Sequence, residues 1–154
     1  MPRAERPQRQ LPRGLMITAG LLMAARLVVP EPVDRVGWVP MDEAASRASS
    51  SGRRVLYEFT ADWCGPCRQM EREVFADADV ARSIDARYVP VRVIDRQLED
   101  GWNAPAVAAL QERFKIGSFP TLVVAEADGR AIATLKGGRS RRAVVEFLRK
   151  YATR

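Results

Sequence analysis

The chain of 154 residues contains no histidine and only two cysteines. A closed tetrahedral zinc site needs four nitrogen, sulfur or oxygen ligands, so zinc held within this chain would have to rely on carboxylates. Covalent haem attachment requires a histidine directly after a Cys-x-x-Cys pair, and residue 68 is an arginine. The sequence therefore predicts no metal site, no dissociable cofactor, and no disulfide other than one within the pair.

Excess positive charge is scarce outside the N-terminus. The whole chain has a formal charge of +6 at pH 7, but residues 1–30 hold five arginines and one glutamate. Residues 31–154 hold 20 basic and 18 acidic side chains, a nearly balanced set. A nucleic-acid-binding domain needs a concentrated basic surface, which this distribution does not favour. We expect no nucleic-acid partner.

The first 30 residues have the layout of a secretion signal. Four arginines between residues 3 and 13 precede an apolar run at residues 15–25. No small-x-small cleavage site follows, and residues 14–30 reach the lower length limit for a membrane span, so an uncleaved anchor is an alternative. Either interpretation places the remaining chain in the periplasm or another extracytoplasmic space. A floppy tail, a buried helix or an organelle transit peptide remain open, as does a cytoplasmic location.

Residues 31–154 are predicted to form a linker and one α/β domain. Pro-Glu-Pro at residues 30–32 favours an extended linker over residues 31–35, and residues 36–154 hold enough apolar side chains for one core. The patterns predict, in order, an edge strand at 36–39, a helix at 42–48, a strand at 55–59, a helix after Cys64, a short helix capped by Asp77 or Asp79, a strand at 88–95, a polar loop at 97–103, a helix capped by Asn103, strands 122–125 and 131–135 joined at Asp128-Gly129, and a last helix reaching Tyr151. A strand–helix–strand unit followed by a hairpin predicts a mixed central sheet with helices on both faces.

The two cysteines, Cys64 and Cys67, directly follow the apolar strand at residues 55–59. A helix N-terminus supplies partial positive charge and free N–H groups, which favour a thiolate. We expect Cys64 to be the exposed, low-pKa nucleophile and Cys67, one turn deeper, to be the shielded resolving thiol. A structural staple is the alternative, although so short a loop constrains the unfolded chain little.

The residues around the pair resemble a known family. The stretch WCGPC at residues 63–67 matches the active site of thioredoxins, and FTADWC at residues 59–64 is similar to the C-terminal domain of DsbD-type disulfide reductants and related exported proteins. The resemblance covers residues 36–151. It implies the thioredoxin fold, exchange of protein or peptide disulfides through a redox-active Cys64–Cys67 disulfide, and an upstream dithiol electron donor.

The resemblance also assigns the substrate groove. The proline that matches Pro120 follows a cis peptide bond in thioredoxins and lies beside the cysteines, and the glycine that matches Gly137 keeps the groove rim low. The residues implied to shape this groove are Trp63, Gly65, Pro66, Phe119, Pro120 and Gly137.

Glu58 is where the chain departs from thioredoxins, which carry a buried aspartate at the matching position, six residues before the first cysteine. Desolvation is expected to raise the pKa of Glu58 and make it a proton relay for Cys67. The alternative is a side chain that points outward at a sheet edge. The lysine that accompanies this aspartate in thioredoxins falls on Val91, and we expect Arg92 to project from the opposite face.

Gly65 and Pro66 between the cysteines match thioredoxin, whose reduction potential is about −270 mV, and this favours a reductant. A disulfide oxidase or isomerase is an alternative within the same chemistry. A thioredoxin-fold binding module with incidental cysteines is the alternative from another class, because the fold alone does not imply catalysis.

Overall fold

The computed structural model describes residues 33–153. The predicted signal or anchor at residues 1–30 and the first two residues of the predicted linker lie outside this part. Within residues 33–153, no helix has both the length and the apolar composition needed to cross a membrane.

The described part of the chain contains six α-helices and four strands. They are α1 (Ala44–Ser51), preceded by a 3-10 turn (Met41–Glu43), β1 (Arg54–Ala61), α2 (Gly65–Met70), which continues into a π-helical turn (Glu71–Phe75), α3 (Ala78–Arg87), β2 (Tyr88–Asp95), α4 (Gln97–Asp100), α5 (Pro105–Arg113), β3 (Thr121–Ala125), β4 (Ala131–Lys136) and α6 (Arg141–Tyr151). Asp77 accepts the N–H groups of Asp79 and Val80 and is the side chain that caps α3.

The four strands form one sheet in the order β2-β1-β3-β4. β1 is parallel to β2 and antiparallel to β3, and β4 completes an antiparallel hairpin with β3. Gly129 turns this hairpin with φ 82°, a left-handed conformation that glycine adopts without a steric penalty. The predicted α/β class and mixed sheet are confirmed.

Alternate residues of β1 point to two separate cores. Leu56 lies on the face covered by α2, α3 and α6, where it packs with Met70 and Ile84. Tyr57 and Phe59 lie on the face covered by α1 and α5. Burial of each large apolar side chain contributes about 1.5–3 kcal/mol, so both faces hold β1 in the middle of the domain. This strand carries Glu58 and leads to the cysteines.

Two local predictions are wrong. Residues 36–39 form no strand with β2, since Val39 N–H donates to Pro90 O at 2.9 Å but Gly37 N–H is taken by Asp85 at 3.0 Å. Residues 97–100 form α4 rather than a loop.

The predicted cap of α5 is also wrong. Asn103 Oδ1 accepts Arg96 N–H at 2.7 Å and its amide donates to Asp95 at 2.6 Å, so Ala104 occupies the cap position of α5. The side chain of Asn103 therefore bonds to residues seven and eight positions earlier in the chain instead of capping the helix that follows.

Candidate active site

The loop after β1 places the cysteine pair at the start of α2. Cys64 is the residue that precedes the helix, and its Sγ accepts the N–H of Cys67 at 3.2 Å. The two residues form a disulfide with 5.2 Å between their Cα atoms. In this oxidised form Cys64 is 2% exposed and Cys67 is 1% exposed, so the expected difference in exposure is absent. Ala61 and Phe119 pack against both cysteines and cover them.

The loop before β3 reaches the disulfide from the other side. The Phe119–Pro120 peptide bond is cis, as the resemblance implies. The ring of Phe119 lies 6.0 Å from that of Trp63 in an edge-to-face arrangement. Trp63 itself is 50% exposed. An aromatic surface that a partner can reach therefore adjoins the buried disulfide.

Two consecutive glycines lie next to Pro120 and Pro66 of this site. Gly137 has φ 77°, in the left-handed region, and its N–H donates to Pro120 O at 2.8 Å. A Cβ atom at Gly138 would lie 3.1 Å from Cβ of Pro66, whereas one at Gly137 would meet no atom within 4 Å. Gly138 is thus the glycine that permits close approach, a role the sequence interpretation missed although the Gly-Gly pair was visible.

Gly65 and Pro66 are the first two residues of α2, where proline is tolerated because its missing N–H has no helical partner. Two arginines hold Asp62, the first residue after β1. Arg68 Nη1 donates to Asp62 O at 2.6 Å, and Arg96 forms an ion pair with the Asp62 carboxylate. These contacts orient the residue before Trp63 and link it to the start of α4.

Glu58 is fully buried, so the alternative of an outward-facing side chain is wrong. Leu56, two residues earlier in β1, points to the same face of the sheet as Glu58 and packs with Met70 of α2. Glu58 therefore lies on the sheet face that α2 covers. Burial raises its pKa to about 7, and Arg92 opposes this shift while Glu71 and Asp34 add to it. A carboxyl group of this kind exchanges a proton near neutral pH.

Arg92 contacts Glu58 directly. It projects from the face opposite Val91, as predicted, because Val91 packs with Tyr57 on the other side of the sheet, and this is the face that carries Glu58. The parallel register places Arg92 and Glu58 opposite each other, and Arg92 Nε donates to Glu58 Oε2 at 2.6 Å. The contact itself was not predicted, because the position of Arg92 was compared with Val91 and not with the residue across the strand pair. The second oxygen, Oε1, is buried and has no hydrogen-bond partner among residues 33–153.

Residues 33–153 contain no cluster of three or more side chains able to hold a metal ion. The chemistry available at the site is that of the cysteines and the carboxyl group. Disulfide exchange needs a thiol that can ionise, a second thiol within reach of it, and a neighbouring surface that a partner can contact. The start of α2 provides these, which places the domain in the class of thiol–disulfide oxidoreductases.

Comparison with known proteins specifies this class. Residues 41–152 match the family model described as a thioredoxin-like domain, and the chain belongs to this family. It is 32% identical over 123 residues to the thiol:disulfide interchange protein DsbD of Ralstonia nicotianae, covering 80% of this chain and 19% of that protein. It is 31% identical over 96 residues to the protein disulfide-isomerase of Hordeum vulgare, covering 62% of this chain and 17% of that protein.

Among solved structures, a thioredoxin from Thermus thermophilus is similar with a TM-score of 0.63 and 29% identity, covering 75% of this chain and 86% of that one. The predicted thioredoxin fold and the resemblance to thioredoxins and DsbD-type proteins are confirmed. The chain spans about a fifth of the length of the curated relatives named above.

Proposed function

We propose that this domain reduces disulfides of protein or peptide substrates on the exported side of a membrane. The observation that carries the proposal is the Cys64-Gly65-Pro66-Cys67 disulfide at the first turn of α2, beside cis-Pro120. A dithiol at this position can donate two electrons to a substrate disulfide and recover them from an upstream dithiol donor.

The exchange proceeds in two attacks. The Cys64 thiolate attacks one sulfur of the substrate disulfide, which forms a mixed disulfide and releases the other substrate sulfur as a thiolate. Cys67 then loses its proton and attacks Cys64 Sγ, which forms the Cys64–Cys67 disulfide and releases the second substrate thiolate. The substrate gains two electrons and, with protons, two thiols. The backbone N–H that points at Cys64 Sγ in the oxidised form favours negative charge on that sulfur.

Glu58 is proposed to take the proton of Cys67. It lies on the sheet face that α2 covers, and its oxygen Oε1 has no hydrogen-bond partner among the described residues. Since Arg92 occupies Oε2, Oε1 is the oxygen open to protonation. A pKa of about 7 lets this group accept and return a proton near neutral pH.

The substrate is proposed to approach over the half-exposed Trp63. Phe119 packs against both cysteines, and a Cβ atom at position 137, which is hydrogen-bonded to Pro120, would meet no atom within 4 Å. A polypeptide with a disulfide in an extended segment suits this shallow surface.

The reductant role predicts a low reduction potential, near the value of about −270 mV known for thioredoxin. We expect the Cys64–Cys67 pair to equilibrate with dithiothreitol buffers and to be almost fully oxidised in glutathione buffers poised at about −200 mV, as measured by the mass of the alkylated protein. The reduced domain should also accelerate insulin reduction by dithiothreitol. A potential near that of a strong oxidant, about −120 mV, would support the oxidase alternative instead. No acceleration with insulin would favour the binding module.

The membrane-facing role predicts that residues 1–35 direct the domain across a membrane. Fused to a reporter that is active only after export, this segment should give activity in the periplasm. A matched fusion with the arginines at positions 3, 6, 9 and 13 replaced by glutamate should lose most of it, because the positive-inside signal is removed. A soluble, inactive reporter from the natural segment would place the protein in the cytoplasm.

A further inference from the structure

The segment that precedes the first helical turn, residues 33–39, is tied to three parts of the domain. Arg35 N–H donates to Phe75 O at 3.1 Å in the π-helical turn, and Gly37 N–H donates to Asp85 Oδ1 at 3.0 Å in α3. Val39 N–H donates to Pro90 O at 2.9 Å in β2. We call these residues the leading segment. They lie outside the regular elements but are held against the sheet edge that carries Arg92.

Two side chains of the leading segment enclose Arg92. The guanidinium carbon of Arg92 lies 4.4 Å from the centre of the Trp38 ring, and its Nη2 lies 2.6 Å from Asp34 Oδ2. The Nη2 contact is an ion pair rather than an aligned hydrogen bond, because Nη2 makes no hydrogen bond of good geometry. Together with the 2.6 Å bond from Nε to Glu58, these contacts fix the plane of the guanidinium.

Asp34 is itself fixed in position. Its Oδ2 accepts the indole N–H of Trp38 at 2.8 Å, and its Oδ1 accepts Val36 N–H at 3.0 Å. The same carboxylate therefore orients the ring that covers Arg92 and binds the cation directly. An ion pair whose two side chains are about four-fifths buried is screened much less by solvent than a surface pair.

We propose that Asp34 and Arg92 form a positioning pair for Glu58. Asp34 holds the guanidinium of Arg92 against Oε2 of Glu58, so that the proton handled by Glu58 enters and leaves at Oε1. Asp34 also competes with Glu58 for the positive charge of Arg92. The groups that face Glu58 are Arg92 from β2, Asp34 from the leading segment and Glu71 from the π-helical turn, whose Oε1 lies 3.7 Å from Arg92 Nη1. Any effect of the pair on the rate of disulfide exchange rests on the proposed role of Glu58 as a proton relay. The electrostatic coupling of Asp34 and Arg92 to the ionisation of Glu58 does not rest on it.

The two members of the pair have opposite expected effects. Asp34→Asn removes a negative charge that disfavours ionisation of Glu58 and leaves Arg92 less neutralised, so Glu58 should titrate at lower pH, by roughly one unit. Arg92→Met removes the cation, so Glu58 should titrate at higher pH, by about one unit or more. Arg92→Lys keeps the charge and should remain closer to the natural protein.

Asp85→Asn provides the matched control. Asp85 also holds the leading segment, through Gly37, but it makes no ion pair with Arg92. Its replacement weakens the attachment of the segment without removing a charge that faces Glu58. We expect the titration of Glu58 to stay where it is in this variant.

The experiment follows the carboxyl ¹³C shift of Glu58 against pH in the oxidised protein, in which the cysteines do not titrate, with Glu58→Gln used to assign the resonance. Opposite shifts for Asp34→Asn and Arg92→Met, with none for Asp85→Asn, would support the pair. An unchanged titration in Asp34→Asn would overturn it, and this variant alone decides the matter if Arg92→Met does not fold. Equal shifts in Asp34→Asn and Asp85→Asn would also overturn it, since they would report loosening of the segment rather than charge.

The pH profile of disulfide exchange, measured on the same variants, separates the pair from the relay. If the carboxyl titration moves and the rate profile moves with it, both proposals stand. If the titration moves but the rate profile does not, the positioning pair stands and Glu58 is not the relay.

Discussion

Replacing Cys67 with serine should convert the domain into a covalent trap for its partners. Cys64 can still attack a substrate disulfide, but the second attack that releases the substrate has no thiol to perform it. Turnover with insulin should fall to the background of the dithiothreitol reaction. In cells, Cys64 should remain joined to substrates and to the electron donor in adducts that disappear on reduction.

Cys64→Ser is the matched control, since it removes the nucleophile and leaves the resolving thiol. It should lose turnover to the same extent and form no adducts. In the reduced natural protein, alkylation near pH 6.5 should modify Cys64 first, because the thiolate is the reactive form and the start of α2 favours it there. Adducts on Cys64→Ser, or earlier labelling of Cys67, would reverse the assigned roles.

Glu58→Gln should slow disulfide exchange near neutral pH and should flatten the pH dependence of stability. Glutamine keeps the size of the side chain and can still accept the Arg92 hydrogen bond at Oε2, but it cannot take a proton. The rate deficit should shrink at higher pH, where more Cys67 is already thiolate. Rates that match the natural protein at every pH would exclude the relay.

The sign of the stability effect follows from the raised pKa. The folded protein binds the Glu58 proton with a pKa of about 7, against an ordinary value of 4.5, so the native state holds the proton where the unfolded chain has lost it. Stability from this group is therefore fully present below about pH 4.5 and is lost as pH rises to about 7, by on the order of 3 kcal/mol. Glu58→Gln should lack this loss and be the more stable protein at pH 7.

Urea unfolding between pH 4.5 and 8 measures this effect. The useful quantity is the difference in slope between the two proteins, because a constant offset from the changed side chain cancels. Parallel curves would mean that Glu58 has the same pKa in the folded and unfolded states. Arg92 would then offset the whole cost of burying the carboxylate, and the raised pKa would be contradicted.

Much of the fold was accessible from local patterns. The apolar run at residues 55–59 predicted β1, the pattern before Tyr151 predicted α6, and Asp77 was one of the two residues predicted to cap α3. Such features depend on residues close together in sequence, where the helical and strand periods act directly. The error at residues 36–39 arose where a contact with Asp85, distant in sequence, took the place of strand pairing, and the error at Asn103 arose where its side chain bonded to the loop before it rather than to the helix after it.

The cysteine pair, the cis peptide before Pro120 and the carboxyl at position 58 were all anticipated from the motif and its resemblance. The contact of Arg92 with Glu58 was not predicted, and Asp34 and Gly138 were not assigned to the site. Nothing in their neighbouring sequence marks them, because each acts on a residue far along the chain, as Asp34 does on Arg92 and Gly138 on Pro66.

The sequence by itself therefore determined the chemistry: a pair of thiols two residues apart after a buried strand, in a chain with no histidine to offer another mechanism. Only the tertiary structure decided how the proton chemistry is controlled. The register of β1 against β2 places Arg92 opposite Glu58, and the leading segment brings Asp34 to the same cation. Charges act through space over a few ångströms inside a domain, and the separation of these residues along the chain carries no information about that distance.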